Sequence, residues 1–399
     1  MVDVATLLTI LIAALASLFM AWSIGAGSSG STPFAPAVGA NAISVMRAGL
    51  LVGVFGFLGA VLQGQNVSET IGGGLTVGAP LTAEAAAVGL LTAATLVAIG
   101  VFTGYPIPTA FTATGAIIGV GLALGGAPAW EQYQLIGALW VLTPFVGGAI
   151  AYATALLLRH DAIDERLSIP FLAGVVGVLL ANIEFAVFGP EDTDASLVDA
   201  VADASALPEI AGFDPATLAV SLLAGATCTF VLWREMKRNE ALGQRRFLLM
   251  MGALVAFSAG GSQVGLAIGP LLPLLDPYQV SVTAILVGGG FGLLLGSWTS
   301  APRMIKAIAQ DYSALGPRRS IAALIPSFAI AQTAILFGLP VSFNEIMVSA
   351  VVGAGAAASG GGAGVSRSKM GYTVLAWVGS LTLSIVLGYG ILRLVLTIL

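Results

Sequence analysis

Charge is what this chain has least of. Only 9% of its 399 residues are Asp, Glu, Lys or Arg, where a soluble domain carries about a quarter. With 57% hydrophobic residues, the composition excludes a soluble globular domain and implies a polytopic membrane protein. Cysteine and histidine each occur once, as Cys228 and His160. That excludes intramolecular disulfides, Cys/His metal sites and Ser-His or Cys-His catalysis, and no cofactor is expected. His160 stands between Arg159 and Asp161 in a polar loop, the setting of a solvated histidine. The clustered acids or nucleophile–base pair of an intramembrane enzyme are missing too, so no enzymatic activity is expected. Ahead of the first apolar stretch stands Asp3 and no basic residue. Lacking the basic n-region of a cleavable signal, that stretch is taken as a first span.

Crossing a hydrocarbon core takes about 20 apolar helical residues. Twelve segments are candidates, near 4–24, 44–64, 84–104, 110–127, 134–157, 169–189, 216–233, 247–268, 279–298, 320–338, 345–363 and 372–395. Glycine is abundant, with 52 residues, and often spaced at three or four, as in Gly49 and Gly53 or the run Gly288 to Gly292. Close helix packing explains that spacing; a nucleotide loop would need a following Lys or an adjoining strand. If crossings alternate from an external N-terminus, every one of the 15 basic residues except Arg393 falls on the cytoplasmic side, as the positive-inside rule demands. Both termini are then external. The net charge of −5 comes mostly from one external stretch, says little about partners, and calls for no nucleic acid.

A proline-centred segment occurs twice. Gly104-Tyr105-Pro106-Ile107-Pro108-Thr109 leads to Gly115 and Gly119, and Gly338-Leu339-Pro340-Val341-Ser342-Phe343-Asn344 leads to Ser349 and Gly353. Segments 84–104 and 110–127, like 320–338 and 345–363, are either paired full spans or arms of a re-entrant hairpin, and both return the chain to its starting side. The prolines favour hairpins, because broken backbone at membrane depth is tolerated where it lines a cavity. Gly25 precedes Pro106 by 81 residues and Gly260 precedes Pro340 by 80. Val67 to Ile71 then falls against Pro302 to Lys306, and Trp140 against Trp377. The first copy enters from outside and the second from inside, as in an inverted repeat with its site near the midplane. The expected fold is all-α, with about 12 membrane segments in two inverted repeats, 1–158 with hairpin 84–127 and 247–399 with hairpin 320–363. A connecting region, 159–246, carries an acidic external loop at 190–215 and a basic cytoplasmic loop at 234–246.

Over nearly the whole chain these features resemble the inorganic phosphate transporter (PiT) family. Its Gly-Ala-Asn-Asp-x-Ala-Asn-Ala motif is matched without a gap from Gly260 to Leu271, and to within one residue from Gly25 to Gly39. Its Pro-Val-Ser-Thr-Thr-His motif is matched by Pro106 to Phe111 and by Pro340 to Glu345. The chain departs from the family where the Asn-Asp pairs, which contribute to the phosphate and cation sites, read Gly27-Ser28 or Ser28-Ser29 and Ser262-Gln263. Both aspartates are gone, and Glu345 stands where the family has His. The resemblance implies a secondary transporter of inorganic phosphate, coupled to Na+ or H+, working by alternating access in the cell membrane. A sulfate or other oxyanion permease stays open, since neutral donors suit a dianion, as does a non-transporting anion-binding or sensory relative.

An oxyanion at the midplane needs hydrogen-bond donors and positive potential, because a bare buried charge costs several kcal/mol. Thr109, Ser342 and Asn344 begin helical arms after a break, where free N–H groups and the helix dipole attract anions. Ser28, Ser29, Ser262 and Gln263 are expected to add donors from a broken first helix in each repeat. The plainer alternative is that such hydroxyls bond back to their own helix. Glu69, Glu84, Glu184 and Glu345 are the membrane-embedded carboxylates available for coupling. Glu345 leads and Glu69 follows; the alternative for Glu345 is pairing with Arg367 or Lys369. Glycine-rich helices such as 44–64 could pack within one protomer or between protomers, so a homo-oligomer is open; lipid surrounds the whole.

Overall fold

Local sequence sets where each helix starts and stops. The computed structural model describes residues 4–73, 75–160, 164–185, 195–205, 214–312, 315–357 and 367–398. The first half comprises α1 (Val4–Gly27), α2 (Ala35–Gly39), α3 (Val45–Gln63), α4 (Gln65–Gly73), α5 (Ala83–Thr103), α6 (Thr109–Ala123) and α7 (Trp130–Leu157). A middle group holds α8 (Glu165–Ala181), α9 (Leu197–Ser205) and α10 (Pro215–Arg238). The second half comprises α11 (Glu240–Ile268), α12 (Leu272–Leu275), α13 (Val282–Thr299), α14 (Ala301–Asp311), α15 (Pro317–Leu336), α16 (Phe343–Ala356) and α17 (Arg367–Ile398). Side-chain caps open several of them: Thr82 accepts from the Ala85 N–H, Asp164 from Arg166, Asp214 from Ala216 and Asn239 from Leu242. Such caps satisfy N–H groups that a helix leaves unpaired at its start.

Each of the twelve expected segments overlaps one helix, and the ends of two of them, 186–189 and 358–363, lie outside the described residues. Among the described residues, nine helices are long and apolar enough to cross a membrane. The other three, α6, α8 and α16, have 15, 17 and 14 residues. Helices of 15 and 14 residues reach about 22 and 21 Å, short of a hydrocarbon core of roughly 30 Å. The expectation of purely helical structure needs a small amendment: β1 (Thr76–Val77) pairs with β2 (Ala127–Pro128), and β3 (Glu184–Phe185) with β4 (Ala195–Ser196). The first ribbon ties the chain before α5 to the chain after α6. In the acidic loop, 195–205 forms β4 and α9; most of its acidic residues lie outside the described residues. Two short helices, α4 and α14, occupy the aligned segments around Val67 and Pro302. Neither is long enough to announce itself by hydropathy.

The halves pack through one another. In the first, α1 lies along α5 and reaches across to α13, while α6 lies along α17. In the second, α11 lies along α15 and reaches across to α3, while α16 lies along α7. Each contact thus has a counterpart in the other half. Glycine permits the crossings: a methyl on Gly59 or Gly260 would strike the Phe257 or Gly56 carbonyl, and one on Gly25 or Gly296 the Leu293 or Trp22 carbonyl. Small residues let membrane helices approach backbone to backbone. Gly53, Gly289, Gly290 and Gly292 meet neighbouring helices in the same way, whereas Gly288 faces open space. The first arm of each helix pair ends on a glycine in the left-handed region, Gly104 at φ 77° and Gly338 at φ 61°. A side chain is strained there, and the prolines that follow prevent the helix from continuing.

Candidate functional site

Proline fixes where the second arm of each hairpin begins. Pro108 is the N-cap of α6, so Thr109 is its first residue. Ser342 is the N-cap of α16, with Asn344 and Glu345 in the first turn. No side chain caps either helix. Their opening N–H groups have no partner within the helix, a setting that favours an anion.

Opposite these tips, α1 stops at Gly27 and the chain turns through Ser28, whose carbonyl accepts from the N–H groups of Ser31 and Thr32 at 3.0 Å each. The second half differs from expectation. α11 runs unbroken through Ser262 and Gln263 and ends only at Gly269-Pro270. No proline falls inside it, so nothing interrupts its hydrogen bonds earlier.

Side chains from four elements then converge. The Thr109 hydroxyl donates to Gln263 Oε1 at 2.5 Å and lies 3.3 Å from Ser28 Oγ. Gln263 Nε2 donates to the Val341 carbonyl at 2.5 Å, with Ser262 Oγ at 3.5 Å. Asn344 Nδ2 donates to the Gly27 carbonyl at 3.1 Å and the Ile107 carbonyl at 2.6 Å. Gln263 therefore bridges the two tips, and Asn344 ties the second tip to the first and to the end of α1. Ser28, Thr109, Ser262, Gln263, Ser342 and Asn344 are all fully buried. The donors are neutral, and the oxygens left over are specific: Ser342 Oγ, Asn344 Oδ1 and Glu345 Oε2 are buried without a hydrogen-bond partner. Ordinary buried polar atoms are paired.

The remaining expected residues fall into two groups. Ser29 is buried beside Ser28 without a side-chain hydrogen bond, and Glu345 is the one acidic or basic side chain fully buried among the described residues. Glu69, by contrast, is exposed on α4 and accepts from Gln65 Nε2 at 3.0 Å. Its side chain bonds to Gln65 and not to this network, although α4 itself packs against Gly338 and Gly265. Back-bonding to the local helix does occur for Thr112 to Pro108 and Ser349 to Glu345. Thr109 instead bonds across the fold.

Several contributors went unread in the sequence. Ser31 and Thr32 are fully buried and donate to the Ser28 carbonyl at 3.1 Å each; the hydroxyl run from Ser28 to Thr32 was their signal. The carbonyls of Gly27, Ile107 and Val341 had none, since every residue has a carbonyl. Trp140 Nε1 donates to the Pro340 carbonyl at 2.8 Å while its ring stacks on Phe111 at 4.0 Å. The second tip is thereby held by a helix of the first half.

The model of the phosphate transporter family matches residues 24–388. The chain is 26% identical over 383 residues to the chloroplastic inorganic phosphate transporter 2-1 of Arabidopsis thaliana, with 84% of this chain and 64% of that longer protein covered. It is 27% identical over 378 residues to a protein of Chlamydia pneumoniae described as a phosphate permease, covering 86% of this chain and 88% of that one. A solved structure of a sodium-dependent phosphate transporter superposes with a TM-score of 0.81 at 24% identity, over 98% of this chain and 100% of the other.

Proposed function

The chain belongs to the phosphate transporter family, and from that premise we propose that this multi-pass membrane protein carries inorganic phosphate by alternating access between two inverted repeats, 1–158 and 247–399. The site lies where the re-entrant tips of α5–α6 and α15–α16 meet, with Ser28, Ser29, Thr109, Ser262, Gln263, Ser342 and Asn344 as the ligand set. Support for two repeats comes from packing in which each contact has a counterpart in the other half. The cell membrane is the location that follows, with both termini outside.

One observation carries the choice of phosphate. Asn344 Nδ2 is committed to two carbonyls, which fixes the amide orientation and leaves Oδ1 as a buried acceptor without a donor. A hydrogen phosphate brings an O–H that can donate to it. Sulfate brings none, and a buried polar group left unpaired discriminates strongly between ligands. In proteoliposomes, labelled phosphate uptake is expected to persist under excess sulfate. Equal competition by sulfate would make the protein a general oxyanion permease, and binding without uptake would make it a sensory relative.

Coupling must work without the aspartates. Oxygens remain at Ser342, Asn344 and Glu345, and Glu345 alone can supply a full negative charge. We assign it the co-ion, Na+ or H+. Glu345→Gln is expected to remove the dependence of uptake on the co-ion and on pH; uptake unchanged in both respects would end that assignment.

A further inference from the structure

An apolar groove of about 660 Å³ opens between α3, α8 and α11, with Phe328 and Gln332 of α15 along one side and no hairpin-tip residue in its lining. Its size is in the range of ligand pockets, roughly 300–1,000 Å³. Leu51, Phe55 and Leu58 line it from α3, and Met250, Ala253 and Phe257 from α11, with Leu180 of α8 as the far wall. The groove exists because α8 packs along α10 and stands off from α3.

The two lining stripes are in phase with arginines. On a helix, residues four apart share a face, so Arg47 stands one turn before Leu51, and Arg245 and Arg246 one turn before Leu249 and Met250. α3 and α11 run side by side in the same direction, as the pairing of Gly56 with Ala256 and of Gln63 with Gly261 requires. Arg245 Nε donates to the Ala42 carbonyl at 2.9 Å, which brings the start of α11 to the approach to α3. All three arginines therefore gather at one end of the groove.

The acids at that end are already engaged. Glu235 pairs with Arg246, Glu240 with Arg166, and Glu165 with Arg318. Arg47 is exposed and has no acidic partner among the described residues, and Arg245 meets only a carbonyl. From Leu249 to Phe257 the groove runs about 12 Å along the helix axis, most of one leaflet of a core roughly 30 Å thick. An apolar slot as deep as a leaflet, opening beside uncompensated guanidinium groups, matches a chain and a head of opposite character.

We propose that the groove between α3, α8 and α11 binds an anionic phospholipid, its acyl chain along Phe55 and Phe257 and its phosphate against Arg47 and Arg245. Basic residues at a membrane surface attract anionic headgroups. The lipid fills a gap that protein side chains leave empty.

The test is native mass spectrometry of the full chain titrated with phosphatidylglycerol or phosphatidylcholine. The wild type is expected to retain phosphatidylglycerol preferentially, about fivefold or more. Arg47→Gln is expected to reduce that preference at least twofold, and Arg47→Gln combined with Arg245→Gln to bring the two lipids to parity, because the changes remove charge and leave the slot intact. Ala253→Trp, which fills the slot, is expected to reduce retention of both. Preferential retention unchanged in Arg47→Gln would overturn the proposal even if Ala253→Trp failed to fold. So would a disulfide between two copies carrying Phe55→Cys in a Cys228→Ser background, since the groove would then be an interface between protomers.

Discussion

Gln263 occupies a position where an aspartate would bring charge, and it brings an amide. An amide both accepts and donates, so it accepts a hydrogen bond from the Thr109 hydroxyl at Oε1 and donates one from Nε2 to the Val341 carbonyl. A carboxylate could do only the first. This exchange links the two hairpin tips through one side chain, a bridge an aspartate carboxylate could not make because it has no donor. Gln263→Ala strands the Thr109 hydroxyl and the Val341 carbonyl in a fully buried site, at a cost of about 1–3 kcal/mol for each unsatisfied group. Thermal unfolding in detergent is expected to show that loss, and phosphate uptake to fall about tenfold, equivalent to ~1.4 kcal/mol. Unchanged melting and uptake would mean that the tips are held by other contacts. Gln263 and Thr109 were legible as candidates from their motif positions, but their bond to each other was not.

The hairpin arms owe their length to punctuation in the chain. Gly104 and Gly338 end the first arms in left-handed conformation, and Pro108 and Ser342 start the second. Such signals act within a few residues, which is why the break points were readable in advance. The extent of α11 was not, because the absence of an inserted proline is weaker evidence than its presence. The two aligned tryptophans separate local from tertiary effects. Trp140 donates to the Pro340 carbonyl, while Trp377 Nε1 is buried without a partner. Trp140→Phe keeps the stacking on Phe111 but gives up the hydrogen bond, and is expected to lower stability by about 1 kcal/mol. Trp377→Phe has no bond to lose and is expected to change melting little. Equal effects from the two would refute the asymmetry.

At the scale of the whole molecule, the tips are sealed: Thr109 and Ser342 have no solvent exposure. Alternating access requires that each side open in turn. In a Cys228→Ser background, Thr109→Cys and Ser342→Cys are expected to react with an impermeant thiol reagent from either side, slowly, and more slowly with phosphate present. Reaction of each from one face only, indifferent to phosphate, would count against tips that meet at the midplane. The sequence by itself determined that this is a membrane protein, where its twelve apolar segments lie, where its hairpins turn and which family it resembles. Hydropathy, proline and glycine act along the chain, so their consequences can be read from it. Only the tertiary structure decided that Thr109 meets Gln263, that Asn344 reaches Gly27 and Ile107, and that Glu69 bonds to Gln65 on its own helix. Those outcomes depend on helices far apart in sequence packing within a few ångströms, and a hydroxyl has the same local character whether it bonds to its own helix or to one from the other half.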